Sequence, residues 1–186
     1  MYDIIIKDIG KGIKQMSKKY LVTGIREIKK ENFQEIKNNM WFCKPSGGLW
    51  SSPYYEKGIV KIGEKKIYNS PWQVFTGLEF QDKYYNYGVV YSLKKGSRIA
   101  YINSLKDLKE FAEEYQLEPP EKDWRFSRFL NYEKMAEDYD GIFLSTQGER
   151  ETRFSEPFNL YGWDVATMLL FNLDCIKDQE YIEFNY

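Results

Sequence analysis

A carboxylate that opens a long apolar run is costly unless it is paired or reached by water, and Asp164 in "YGWDVATMLLF" stands in that position. Its setting marks it as a candidate functional carboxylate, at a strand end or in an ion pair. Glu149 and Glu151 in "GERE" lie two residues apart, so on a strand both face one side. The competing reading of that pair is a solvated charged loop. Arg26 closes the apolar segment "LVTGI" and carries a fork of donors suited to phosphate or carboxylate. It serves equally in a structural ion pair. The stretch "WFCKPSGGLWSSPYY" adds Lys44, Gly47, Gly48, Trp50, Ser51 and Ser52. Two adjacent glycines between polar and bulky neighbours favour a sharp bend or a close backbone approach. The stretch predicts a strand, a tight loop and a second strand, with the loop "KPSGGLWSS" lining a pocket. The alternative is a plain hairpin turn.

Other chemistries are removed by what the chain lacks. Histidine is absent, which excludes Ser-His and Cys-His nucleophile pairs and most zinc sites. "KPSGGLW" lacks the spacing of a phosphate-binding P-loop, and no G-x-G-x-x-G occurs, so the common nucleotide folds are out. No residue set points to a metal. The two cysteines, Cys43 and Cys175, are too few for a disulfide framework and read as reduced core residues. Lys and Arg number 27 against 28 Asp and Glu, a formal net charge of -1, which leaves nucleic acid unsupported as a partner. No run approaches the ~18 apolar residues of a membrane span, and "MYDIIIKDIGKGIKQ" is too charged for a signal peptide, so a cytoplasmic protein is expected.

The elements that must position these groups read as follows. At 186 residues the chain fits one domain, 1–186, with a sizeable core. "YLVTGIREI" is a predicted strand, and "KKENFQEIKNN" a short helix with Phe33 and Ile36 at helical spacing. "GIVKIGEKKIY" predicts a hairpin turning at Gly63-Glu64, and "YGVVYSLKKGSRIAYI" two further strands. "NSLKDLKEFAEEYQL" is the clearest helix: Ser104 caps it, Asp107 takes the capping-box position, and Leu105, Leu108, Phe111, Ala112 and Tyr115 form one apolar stripe. "LEPPEKDW" marks a loop, "NYEKMAEDY" a second short helix and "DGIFLS" a strand. "TQGERETRFSEPFNLYG" reads as a long polar loop leading into the closing apolar strand region "WDVATMLLFNLDCI". Short strands interrupted by few helices give an α+β class with a mainly antiparallel sheet.

The succession "YLVTGIREIKKENFQEI", "GGLWSSP", "VVYSLKKGSRIAYINSLKDLKEF", "YDGIFLS" and "YGWDVATMLLFNLDCI" resembles the ADP-ribosyltransferase superfamily in pattern order over about residues 18–177. The resemblance implies a split β-sandwich that holds NAD as substrate, cleaves it and passes ADP-ribose to a macromolecular or small-molecule acceptor. It implies Arg26 as the first-strand group on pyrophosphate or ribose, and Trp50, Ser51 and Ser52 as the middle segment. Asp164 becomes the late catalytic acid. Lys44, Gly47 and Gly48 would line the cofactor, and Trp50, Tyr54 or Tyr55 would stack on nicotinamide or adenine. The family's His-Tyr-Glu branch needs a histidine, and its Arg-Ser-Glu branch has glutamate where Asp164 stands. Glu149 and Glu151 match a Glu-x-Glu pair and remain an alternative acid. A module that keeps the fold and a nucleotide or protein partner without the reaction is the second reading, and an aromatic docking surface built on Trp41, Trp50 and Trp72 the third.

Overall fold

The computed structural model describes residues 4–5, 19–61, 67–79, 86–119 and 128–184. In chain order the elements are β1 (Ile4–Ile5), β2 (Lys19–Thr23), a 3-10 turn (Lys30–Asn32), β3 (Leu49–Pro53), β4 (Ile59–Lys61), β5 (Ile67–Tyr68) and α1 (Pro71–Glu79). They continue with β6 (Tyr87–Leu93), β7 (Ile99–Ile102), α2 (Leu105–Tyr115), α3 (Tyr132–Asp138), β8 (Gly141–Leu144), α4 (Thr146–Thr152), β9 (Thr167–Leu170) and β10 (Ile176–Glu183). The class is α+β with mixed sheet. The chain forms two compact units, one of Met1–Lys29, Ser51–Lys94 and Ile176–Tyr186, the other of Lys30–Trp50 and Lys95–Cys175. Among the described residues no helix is long and apolar enough to cross a membrane.

In the first unit β6 lies between β10 and β2, antiparallel to both, and β2 pairs antiparallel with β3 through Tyr20↔Pro53 and Leu21↔Ser52. Leu21, Val90 and Phe184 bury one face of these strands. β4 and β5 form the expected hairpin, register Ile59↔Tyr68, and β1 joins β4 antiparallel. The Gly63-Glu64 turn of that hairpin lies outside the described residues, as does Pro120–Trp124 of the "LEPPEKDW" loop.

The second unit is built on β8 and β9, whose four residues each are all buried, the mark of strands covered on both faces. β8 pairs antiparallel with β9 and parallel with β7, and that parallel step needs the long crossover through α2 and α3. α2 starts where the sequence predicts: the Asp107 amide donates to Ser104 Oγ at 3.2 Å, and the Asn103 amide donates to Asp107 Oδ2 at 2.8 Å. Leu108, Ala112 and Tyr115 are buried, with Leu105 and Phe111 packed against the same core. In α3 Asn131 caps the amide of Lys134, and Tyr132 and Met135 turn inward.

Several expected elements differ. "KKENFQEIKNN" holds only the 3-10 turn, because its backbone is spent elsewhere: the Gly48 amide donates to Gln34 O, and Lys37 and Ser46 exchange two bonds. Of the two strands expected around the tight loop in Trp41–Tyr55, only the second, β3, forms. The polar loop after β8 contains α4, where the Gly148 amide donates to its N-cap, Ser145. α1 and β10 were not anticipated. Both cysteines are buried, as expected.

Candidate functional site

The second unit gathers the loop residues around Trp50. The loop 43–50 is laid along residues 160–163: Lys44 Nζ donates to Gly162 O at 3.2 Å, and the Cys43 thiol donates to Tyr161 O. Lys44 Nζ stands 4.7 Å from the centre of the half-buried Trp50 ring, whose Nε1 donates to Gly47 O at 3.0 Å. Trp50 meets buried Trp163 edge-on at 4.8 Å, and Trp163 stacks on Tyr132 at 6.1 Å. Tyr132 Oη donates to Cys43 O at 2.8 Å. A tryptophan wall with a lysine over it is thus fixed immediately before Asp164.

Gly47 and Gly48 adopt φ of +74° and +67°. A Cβ on Gly47 would lie 2.1 Å from Glu35 O, and one on Gly48 would lie 2.5 Å from Leu169 and 2.8 Å from Leu170 O. The close approach that the glycines allow is to the protein's own chain, and the Gly48 amide, expected to face a ligand, is taken by Gln34 O at 2.8 Å.

Asp164 is paired with Arg153, its Oδ1 accepting from Nη2 at 3.1 Å. Arg153 also donates through Nη1 to Glu149 Oε1 at 2.9 Å. Glu149 sits in the first turn of α4 and Arg153 at its C-cap, four residues on, so the helix itself aligns the pair. The three side chains are largely withdrawn from water, 15% exposed for Glu149, 24% for Asp164 and 28% for Arg153. The hydrogen bond to Glu149, and next the charges of Glu149 and Asp164, outweigh desolvation and raise the Arg153 pKa. The Arg153 guanidinium also lies 5.7 Å and 5.9 Å from the rings of Phe154 and Tyr161, both strongly exposed. Neither Arg153 nor its partnership with Asp164 was read from the sequence; the Glu149-x-x-x-Arg153 spacing was the available signal.

Burial pushes the Cys43 thiol up to about 11, with nearby Lys44 opposing and Asp164 assisting. It is therefore a protonated core group at neutral pH, without nucleophilic character. Glu149 and Glu151 do not face one side as a strand would have them. On α4 they diverge, and Glu151 instead accepts from the Leu105 amide at 3.0 Å, at the start of α2. Hydrogen bonds from Gln147 and then Leu105 lower its pKa.

Arg26, Ser51 and Ser52 belong to the first unit. Arg26 is exposed, its guanidinium 5.5 Å from the Tyr87 ring and 5.6 Å from the Tyr181 ring. Ser51 and Ser52 are buried; Ser51 Oγ is 2.7 Å from Tyr91 Oη, and Ser52 Oγ accepts from the Trp72 amide at 3.4 Å. Tyr54 packs on the Leu21 cluster and Tyr55 on the Ile59 cluster, and burial raises the pKa of both. Compared with known protein families, curated proteins and solved structures, the chain shows no significant match to any.

Proposed function

We propose that this protein is an ADP-ribosyltransferase-like enzyme that cleaves NAD and passes ADP-ribose to an acceptor, with Asp164 as the catalytic carboxylate. The observation that carries the reading is the setting of Asp164: one oxygen held by Arg153, three-quarters withdrawn from water, directly after the tryptophan wall of Trp163 and Trp50. The chemistry needs little more. As the bond between nicotinamide nitrogen and ribose C1′ breaks, its electron pair returns to the ring, nicotinamide leaves neutral, and positive charge grows on the sugar. A preorganised carboxylate beside that sugar stabilises the charge and can hold a ribose hydroxyl. An acceptor oxygen or nitrogen then bonds to C1′ and loses its proton; with water as acceptor the outcome is NAD hydrolysis. Trp50, backed by Trp163 and capped by Lys44, supplies an aromatic wall with a cation for the dinucleotide. The split β-sandwich of the family remains part of this proposal.

One observation favours a second reading, a nucleotide-binding module without the reaction. Aspartate is one methylene shorter than the family's glutamate, which moves the carboxylate by about 1 Å, a displacement able to cost on the order of a hundredfold in rate. Incubating the protein with NAD labelled in the nicotinamide ring, with and without cell lysate, separates the two. Free nicotinamide supports the enzyme. Binding of NAD with no release supports the module.

A further inference from the structure

We infer that Arg153 is the positioning residue of the candidate acid, a fixed brace that takes Oδ1 of Asp164 and so sets which oxygen the carboxylate presents. Three of its four contacts do not involve Asp164: Glu149 at 2.9 Å and the rings of Phe154 and Tyr161. Its place is therefore secured without the acid, whereas Asp164 has Arg153 as its ion-pair partner among the described residues. The order of support runs from helix to arginine to acid. Glu149 is set by α4, Arg153 is aligned with it one helical turn later, and Asp164, eleven residues further on in a loop, is drawn to the guanidinium.

The second carboxylate explains how a cation can hold the acid without cancelling it. Glu149, Arg153 and Asp164 carry two negative charges and one positive, and the shorter of the two bonds goes to Glu149. The three-group cluster thus keeps one negative charge beyond its own arginine, with Lys44 over the neighbouring Trp50 ring as the nearby cation, while the direction of the carboxylate is fixed. Surface pairs of the same type, such as Lys106 with Glu110 at 83% and 59% exposure, have no such constraint.

The catalytic consequence rests on the NAD-cleaving reading, and the test is arranged to separate the two. Arg153→Gln, Arg153→Ala and Arg153→Lys are made in the full chain, and initial rates of nicotinamide release are measured across NAD concentrations. A brace predicts that Arg153→Gln lowers kcat by about tenfold to a hundredfold, the scale of a misplaced catalytic group, with KM within about twofold. Arg153→Lys should recover part of the loss, and millimolar guanidinium should partly restore Arg153→Ala. Unchanged kcat in Arg153→Gln, or a loss that neither lysine nor added guanidinium relieves, overturns the inference. If the wild-type chain releases no nicotinamide, the functional reading falls and the brace is judged by thermal unfolding. Arg153→Gln and Asp164→Asn should then be non-additive, the double variant losing no more in Tm than the larger single one. Additive losses overturn the brace.

Discussion

Gly47→Ala tests whether the Gly-Gly bend is built to seat the protein's own backbone. At φ +74° an alanine carries a left-handed penalty of about 1–2 kcal/mol. Its Cβ would also lie 2.1 Å from Glu35 O and 2.8 Å from the Glu35 carbonyl carbon, both backbone atoms that yield only if the loop shifts. That shift endangers the Trp50 Nε1 bond to Gly47 O and the Gly48 amide bond to Gln34 O, each worth about 1 kcal/mol. The sum is about 3–4 kcal/mol. Gly96 is the internal control: its φ is +90°, yet a Cβ there meets nothing within 4 Å, so Gly96→Ala should lose only the conformational part, about 1–2 kcal/mol. Urea unfolding followed by tryptophan fluorescence compares the two variants. If Gly47→Ala is no less stable than Gly96→Ala, the close approach to residues 34 and 35 is not what the glycine serves.

Two further predictions concern the core of the second unit. Leu108 is fully buried in α2, so Leu108→Ala should cost about 2–5 kcal/mol and Leu108→Asp more, seen as a lowered melting temperature by circular dichroism; a wild-type melt for the aspartate variant would contradict the packing. Cys43 titrates near 11 when folded against an ordinary value near 9.0, so the folded state holds its proton more tightly. Its contribution is present below pH 9 and is lost as pH rises toward 11, about 2–3 kcal/mol in all. Urea midpoints measured between those pH values should fall more for wild type than for Cys43→Ala, and parallel curves would refute the assignment.

α2 was legible because two independent signals agreed, a reciprocal cap at Ser104 and Asp107 and an apolar stripe at Leu108, Ala112 and Tyr115. α4 carries no stripe: what it buries are Gly148 and Thr152, and Gly148 is needed because a Cβ would lie 2.2 Å from Ile102 O. Hydropathy has nothing to detect there. α1, "PWQVFTGLE", is rich in residues that favour strands, and β10 is mostly exposed and charged, so each contradicted its local pattern. The segment before Trp41 had helical spacing at Phe33 and Ile36, but tertiary hydrogen bonds to the Gly-Gly loop overrode it. For the site, Asp164 was legible as a charge at the head of an apolar strand. Its partner Arg153 was not, because the segment that holds Glu149 and Arg153 reads as a polar loop, in which a spacing of four has no meaning.

The most direct measurement is nicotinamide release from NAD by wild type and by Asp164→Asn. That variant keeps the shape of the side chain, and Arg153 retains Glu149, so the chain should stay folded at the assay temperature even though the Asp164–Arg153 pair is weakened. The account predicts release by wild type and a loss of about a hundredfold or more in the variant, the scale of removing one preorganised electrostatic group. Equal release by both proteins, or none by wild type at any NAD concentration, would contradict it.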